Sequence, residues 1–132
     1  MMAFDRSRAI QDFDTYIKLM DNADYILLHF TDMSGYLRGR TVPAEEAKNV
    51  LMEGVGFDGS SIIGGVNIEE SDMVMKPDAS TFAVYPYYFY DKSVVSLICD
   101  LYQPNGKRFE SDPRYVCQEA MKKIRAEGYE PT

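Results

Sequence analysis

From Phe57 to Asp78 the chain reads FDGSSIIGGVNIEESDMVMKPD, and this run limits the fold more than any other. It is too polar and too rich in glycine to serve as a core element. Asp58, Ser60, Ser61, Glu69, Glu70, Ser71, Asp72 and Asp78 crowd into it, with Gly59, Gly64 and Gly65 between them. Glycine reaches backbone angles that other residues avoid, and Asp and Ser side chains bond readily to nearby amides. A shaped, oxygen-rich loop is therefore expected, and the core has to come from the segments on either side. Loops held by a scaffold are where chemistry most often sits.

Those flanking segments are well patterned. Phe4, Ile10, Phe13, Ile17 and Met20 fall largely at three- and four-residue intervals and predict an amphipathic helix from about Ser7 to Met20. Tyr25–Phe30 is an apolar run of strand length, Thr31–Gly35 a turn, and Tyr36–Val42 a returning strand, together an antiparallel hairpin. Pro43, Glu45 and Glu46 suit a helix start, with Ala47, Val50 and Leu51 facing inward and Gly54 and Gly56 ending it. Short strands are expected at Met73–Met75 and Thr81–Tyr85, and a central one at Ser93–Leu101. Asp112-Pro113 opens a last helix, with Val116, Ala120, Met121 and Ile124 as its apolar face and Gly128 at its end. The expectation is an α+β fold, a mixed sheet with helices packed on one face, formed by a single domain over residues 1–132.

Composition removes several function classes. The chain has 132 residues, of which 45% are hydrophobic and 13% aromatic, a balance suited to a packed core rather than disorder. Its net charge of −7 argues against a nucleic-acid partner, which requires a basic patch. No apolar run reaches the ~18 residues that a membrane span needs, and Met1–Phe13 carries charges where a secretory leader is apolar. A cytoplasmic protein is expected. Cys99 and Cys117 lack CxxC spacing and His29 stands alone, so no zinc site is expected. The cysteines read as two buried thiols, and His29, set in an apolar run, as a packed side chain.

Three motifs need weighing. Gly54-Val-Gly56-Phe-Asp-Gly59 matches GxGxxG, but a helix precedes it and a polar loop follows, the reverse of a dinucleotide site. Glu69, Glu70 and Asp72 lack the alternate spacing of a calcium loop and read as a solvated acidic face. At Phe57–Ser61 two readings stand side by side. One is a structural turn in which Asp58 and the serines bond backbone amides. The other is a carboxylate and hydroxyls displayed to hold a small cation or take a proton. No base–nucleophile pair for covalent catalysis lies nearby in the chain.

Taken together, FDGSSI, ESDM at Glu70–Met73, KPDAST at Lys76–Thr81, ICD at Ile98–Asp100 and DPR at Asp112–Arg114 resemble the N-terminal domain of type I glutamine synthetase. LLHFTDMSG at Leu27–Gly35 and TVPAEE at Thr41–Glu46 are similar to that family's opening hairpin and helix. The resemblance implies a β-grasp-like fold and an enzyme that joins ammonia to glutamate with ATP and Mg2+ or Mn2+ through γ-glutamyl phosphate. It places the ammonium-site aspartate on Asp58, its accompanying serine on Ser61, and a residue supporting the same inter-subunit site on Asp72. It assigns nucleotide and metal ligands to a catalytic domain after residue 132, leaving this segment with no cofactor of its own. The implied partner is the catalytic domain of an adjacent subunit in a homododecamer, and the segment alone is expected to be inactive. Gly65 and Asn67 depart from the family, which usually has an aromatic at the first and in some feedback-sensitive members an arginine at the second. A stand-alone β-grasp interaction module and a carboxylate-based cation binder are the competing readings.

Overall fold

Alternation along Tyr25–Phe30 sets the first pairing. In the computed structural model, which describes residues 17, 18, 20–59, 72–86 and 91–131, β1 (Tyr25–Thr31) and β2 (Leu37–Pro43) form the expected antiparallel hairpin. Asp32 holds its turn. This carboxylate is only 2% exposed and accepts from the Ser34 and Tyr36 amides and from Arg38 Nε.

A single 3-10 turn (Ala44–Glu46) leads into α1 (Ala47–Glu53), whose Ala47 and Val50 are buried. Gly54 then turns the chain at φ +78°, and a Cβ there would lie 2.6 Å from the Met75 carbonyl. Only glycine fits. β3 (Val55–Asp58), β4 (Asp72–Val84), β5 (Val94–Tyr102) and α2 (Pro113–Ala126) complete the described elements.

The strand order is β2-β1-β5-β4-β3, parallel between β1 and β5 and antiparallel elsewhere. This is the expected β-grasp-like mixed sheet of an α+β fold. Ile26, Leu28 and Phe30 of β1, Val95, Leu97, Cys99 and Leu101 of β5, and Met73 and Met75 of β4 all point to one side, where Met20, Ala47 and Val50 join them. Strand alternation leaves the other face to Ser96, Ile98 and Asp100.

Several expectations change. The segment after Gly54 is not a loop from the outset, because Val55–Asp58 pairs with Asp72–Met75 as β3. The two short strands at Met73–Met75 and Thr81–Tyr85 are parts of one 13-residue β4. Its ladder to β5 shifts register between Asp78 and Ala83. There the Thr81 hydroxyl accepts from the Ile98 amide and donates to the Asp78 carbonyl, both at 2.7 Å. A side chain thus bridges the irregularity that the separate strand pieces implied. The first helix lies for the most part outside the described residues, with Ile17, Lys18, Met20 and Asp21 helical at its end.

α2 starts as expected, with Asp112 Oδ1 accepting from the Arg114 amide ahead of Pro113. Its attachment differs from the expected apolar one. Val116, Ala120 and Ile124 are exposed, and Met121 is half-buried. Polar groups hold the helix instead. Arg114 reaches Asp100 and Asp78, the latter at 2.8 Å, and Gln118 approaches Asp100. Arg108 binds Asp100 at 2.8 Å and the fully buried Asp112 at 2.6 Å, and Asp112 Oδ2 also accepts from the Leu101 amide. Replacing Asp112 by Ala removes a helix cap and leaves Arg108 facing an empty buried position. Urea denaturation of the Asp112→Ala chain is expected to show a loss of about 3 kcal/mol, whereas a loss within the range of a surface substitution would contradict this role.

The same network responds to acid. Burial pushes the Asp78 carboxyl up, but hydrogen bonds from Ser80 and Arg114 outweigh it and leave the group below its ordinary value. The stability it contributes is complete above the unfolded value, about 3.9, and is lost as pH falls further through the lowered folded value. Near-ultraviolet circular dichroism of Tyr115, which stacks with Arg108 at 4.9 Å, is expected to hold steady down to about pH 4 and to fall below it. A transition already complete at pH 5 would exclude Asp78 as its source.

Candidate functional site

β2 and β3 are the two edges of the sheet, so no ladder joins them. They meet nonetheless. Arg40 Nη1 donates to the Gly56 carbonyl at 3.1 Å, and the Phe30 and Phe57 rings lie 5.0 Å apart at a 31° tilt. The sheet curls enough for a side chain of β2 to reach the backbone of β3. A cleft of about 300 Å3 lies at that seam, walled by Phe30, Phe57 and Met75 and bearing Arg38, Arg40 and Asp58 on its rim.

Asp58 is the last residue of β3 and not a loop residue, and it is exposed. Directly opposite, as its ladder partner, stands Asp72, the first residue of β4 and also exposed. The register thus brings together two of the three residues singled out in the sequence. Ser61, the third, lies outside the described residues, as do Gly65 and Asn67. Opposed residues in an antiparallel pair have Cβ atoms about 5 Å apart, and like charges there repel. Among the described residues no group of three or more His, Cys, Asp or Glu could hold a metal ion.

The remaining sequence candidates sort cleanly. His29 is half-buried, its ring packed over Gly39 so closely that a Cβ on that glycine would lie 2.6 Å from Cδ2. Burial also lowers its pKa, which fits a packed side chain. Cys99 is buried, its thiol pushed up to about 12 by burial and by the adjacent Asp100 carboxylate. Cys117 is exposed, not buried as expected, because it lies on the uncovered side of α2. No described helix is long and apolar enough to cross a membrane.

Arg38 and Arg40 were not singled out in the sequence. Their signal was the alternation Arg38, Arg40, Val42, which puts all three on one face of β2. In register they stand opposite Phe30, Leu28 and Ile26, so both arginines belong to the concave side.

If Asp58 and Asp72 repel, neutralising one relieves the fold. Asp72→Asn is expected to raise the stability of the chain by up to about 0.5 kcal/mol, measured by urea denaturation at low salt, with the gain shrinking as salt is added. A destabilised variant would show that Asp72 serves the fold.

Comparison with known proteins adds a family. The model of the glutamine synthetase β-Grasp domain matches residues 22–104. The glutamine synthetase of Thermotoga maritima is 43% identical over 111 residues, covering 84% of this chain and 25% of that protein. That of Methanococcus voltae is 42% identical over 120 residues, covering 85% of this chain and 27% of that protein. The chain thus spans about a quarter of the length of these curated relatives. Among solved structures, the glutamine synthetase of Plasmodium falciparum matches with a TM-score of 0.76 at 23% identity, over 91% of this chain and 23% of that one. A complex of GmaS with ADP matches with a TM-score of 0.72 at 22% identity, over 96% of this chain and 26% of that one. At such identities the two structures speak to the fold alone.

Proposed function

This chain belongs to the glutamine synthetase β-grasp domain family, and on that premise we propose that it completes the active site of a glutamate–ammonia ligase. The whole enzyme forms glutamine from glutamate and ammonia, using ATP and Mg2+ or Mn2+, through γ-glutamyl phosphate. This domain supplies Asp58, with Ser61 and Asp72, to the catalytic domain of an adjacent subunit in a homododecamer. The observation that carries the reading is the placement of Asp58: exposed, at the end of an edge strand, opposite a second carboxylate.

The chemistry follows from that placement. Ammonia attacks only as the neutral species, so a bound ammonium has to lose a proton. A carboxylate with an ordinary pKa near 3.9 is a weak acceptor for it. Attraction comes first, with Asp58 and Asp72 holding the cation at the rim. Proton acceptance becomes easier when a facing subunit excludes water and raises the proton affinity of the carboxylate. The resemblance to the family assigns binding of metal and nucleotide to the catalytic domain, and no step here runs through them. The segment by itself is catalytically silent, and its compartment is the cytoplasm, where an exposed free thiol such as Cys117 stays reduced.

Asp58→Ala in the whole synthetase is the test. Ammonium-dependent turnover is expected to fall by roughly a hundredfold, while phosphorylation of glutamate, followed by ADP release without ammonium, stays near wild type. Equal loss in both assays, or no loss in the first, overturns the assignment.

A further inference from the structure

α2 carries a second face that the sheet does not use. Val116, Cys117, Ala120, Met121 and Ile124 recur at helical spacing and form one apolar stripe, with Cys117 Sγ and Met121 Sδ 4.0 Å apart. The side of α2 that meets the sheet is a different one, bearing Arg114 and Gln118. The stripe is open to solvent. Val116 is 56% exposed and Ile124 42%, Cys117 and Ala120 are exposed as well, and no residue of α2 is buried. A helix held by its polar side, with its apolar side in water, is patterned for two neighbours, of which the sheet is one.

The end of α2 shows where the chain goes next. Gly128, at φ +89°, donates its amide to the Arg125 carbonyl at 3.0 Å, and the Tyr129 amide donates to the Ile124 carbonyl at 3.2 Å. These two bonds make the helix ending in which a left-handed glycine turns the chain back, commonly with an apolar contact between the last-turn residue and the one after the glycine. Here those residues are Ile124 and Tyr129, and both are exposed, Tyr129 to 71%. The chain therefore leaves α2 beside the end of the stripe. Size then separates the occupants. A helix of 14 residues is about 21 Å long and about 10 Å wide, so one side offers about 200 Å2. A stable contact between separate molecules buries about 800 Å2 on each partner, and a second copy docked on this stripe alone falls well short of that. A segment joined to α2 by a short link needs no such area, because tethering holds it at an effective concentration in the millimolar range.

We propose that the apolar stripe of α2 docks the catalytic domain of its own subunit, which follows α2 in the whole synthetase. This rests on the reading given above, in which this chain is one domain of a longer enzyme, and its span of about a quarter of the length of its curated relatives supports that reading. The domain then works as a bridge. Asp58 serves the adjacent subunit, and α2 packs against the subunit to which it belongs.

Cys117 lies in the stripe and reports on it directly. Maleimide labelling, read by mass spectrometry of the Cys117 peptide, is compared between the 132-residue chain and the whole synthetase. Cys117 is expected to label readily in the first and at least about tenfold more slowly in the second, a factor equal to about 1.4 kcal/mol of docking. Cys99, which is buried, labels slowly in both and shows that the fold is intact. Val116→Gln combined with Ile124→Gln is expected to restore fast labelling in the whole enzyme and to lower its melting temperature. In the 132-residue chain the same pair leaves the urea midpoint within the range of a surface change. Equal labelling of Cys117 in the two wild-type forms overturns the proposal, whether or not the variant folds. So does protection already present in the 132-residue chain, which would put a second copy or residues 1–16 on the stripe. Protection that disappears when the whole enzyme is dissociated to monomers also overturns it, by putting the adjacent subunit there. None of these outcomes bears on the ammonium site, which stands or falls with Asp58→Ala.

Discussion

The period-2 alternation of β5 organises the molecule. Wedged between β1 and β4, this strand sends Val95, Leu97, Cys99 and Leu101 into the core, each at most 2% exposed. Its opposite face offers Asp100 to Arg108 and Arg114. A shift by one residue would bury Asp100 and expose four apolar side chains, so the register is strongly specified. From it follow the parallel pairing with β1, the antiparallel pairing with β4, and the attachment of α2. The edges at β2 and β3 are the ends of what β5 begins.

That hierarchy explains which parts could be read from residues alone. The hairpin, the central strand and the capped start of α2 each rest on local chemistry: alternation, a turn centred on Asp32, and the pair Asp112-Pro113. Local chemistry could not reveal β3. Val55–Asp58 holds only two apolar residues and a glycine, and it is a strand only because Asp72–Met75 gives it a partner. Likewise β4 was expected as two short strands, yet it is one strand whose register shift the Thr81 hydroxyl spans. Both misreadings have one cause. Tertiary pairing overrode weak strand propensity.

For the candidate site the outcome is mixed in the same way. Asp58 and Asp72 stood out as acidic residues in a polar run, but their opposition across two strands depended on the register of a strand that the sequence hid. The arginines at the seam were not singled out in the sequence. Their positions opposite Phe30 and Leu28 place them on the concave side. Apolar residues in α2 misled in the other direction. Their helical spacing was real, but the face that meets the sheet is the one bearing Arg114 and Gln118.

The polar attachment of α2 and the paired carboxylates at the rim also make opposite demands on the fold. The acids near α2 have their partners: the buried Asp112 is met by Arg108 and two backbone amides, and the half-buried Asp78 by Arg114 and Ser80. Satisfied in this way, buried charge can be carried without a large penalty. At the rim, Asp58 and Asp72 face each other at the open end of an edge strand pair, where like charges work against the pairing that brings them together. Such local conflict between stability and arrangement is characteristic of functional positions. Close by on the same strand, Val55 and Phe57 pack against the core and the Gly56 carbonyl accepts from Arg40, so the paired carboxylates sit at the end of a strand anchored by other contacts.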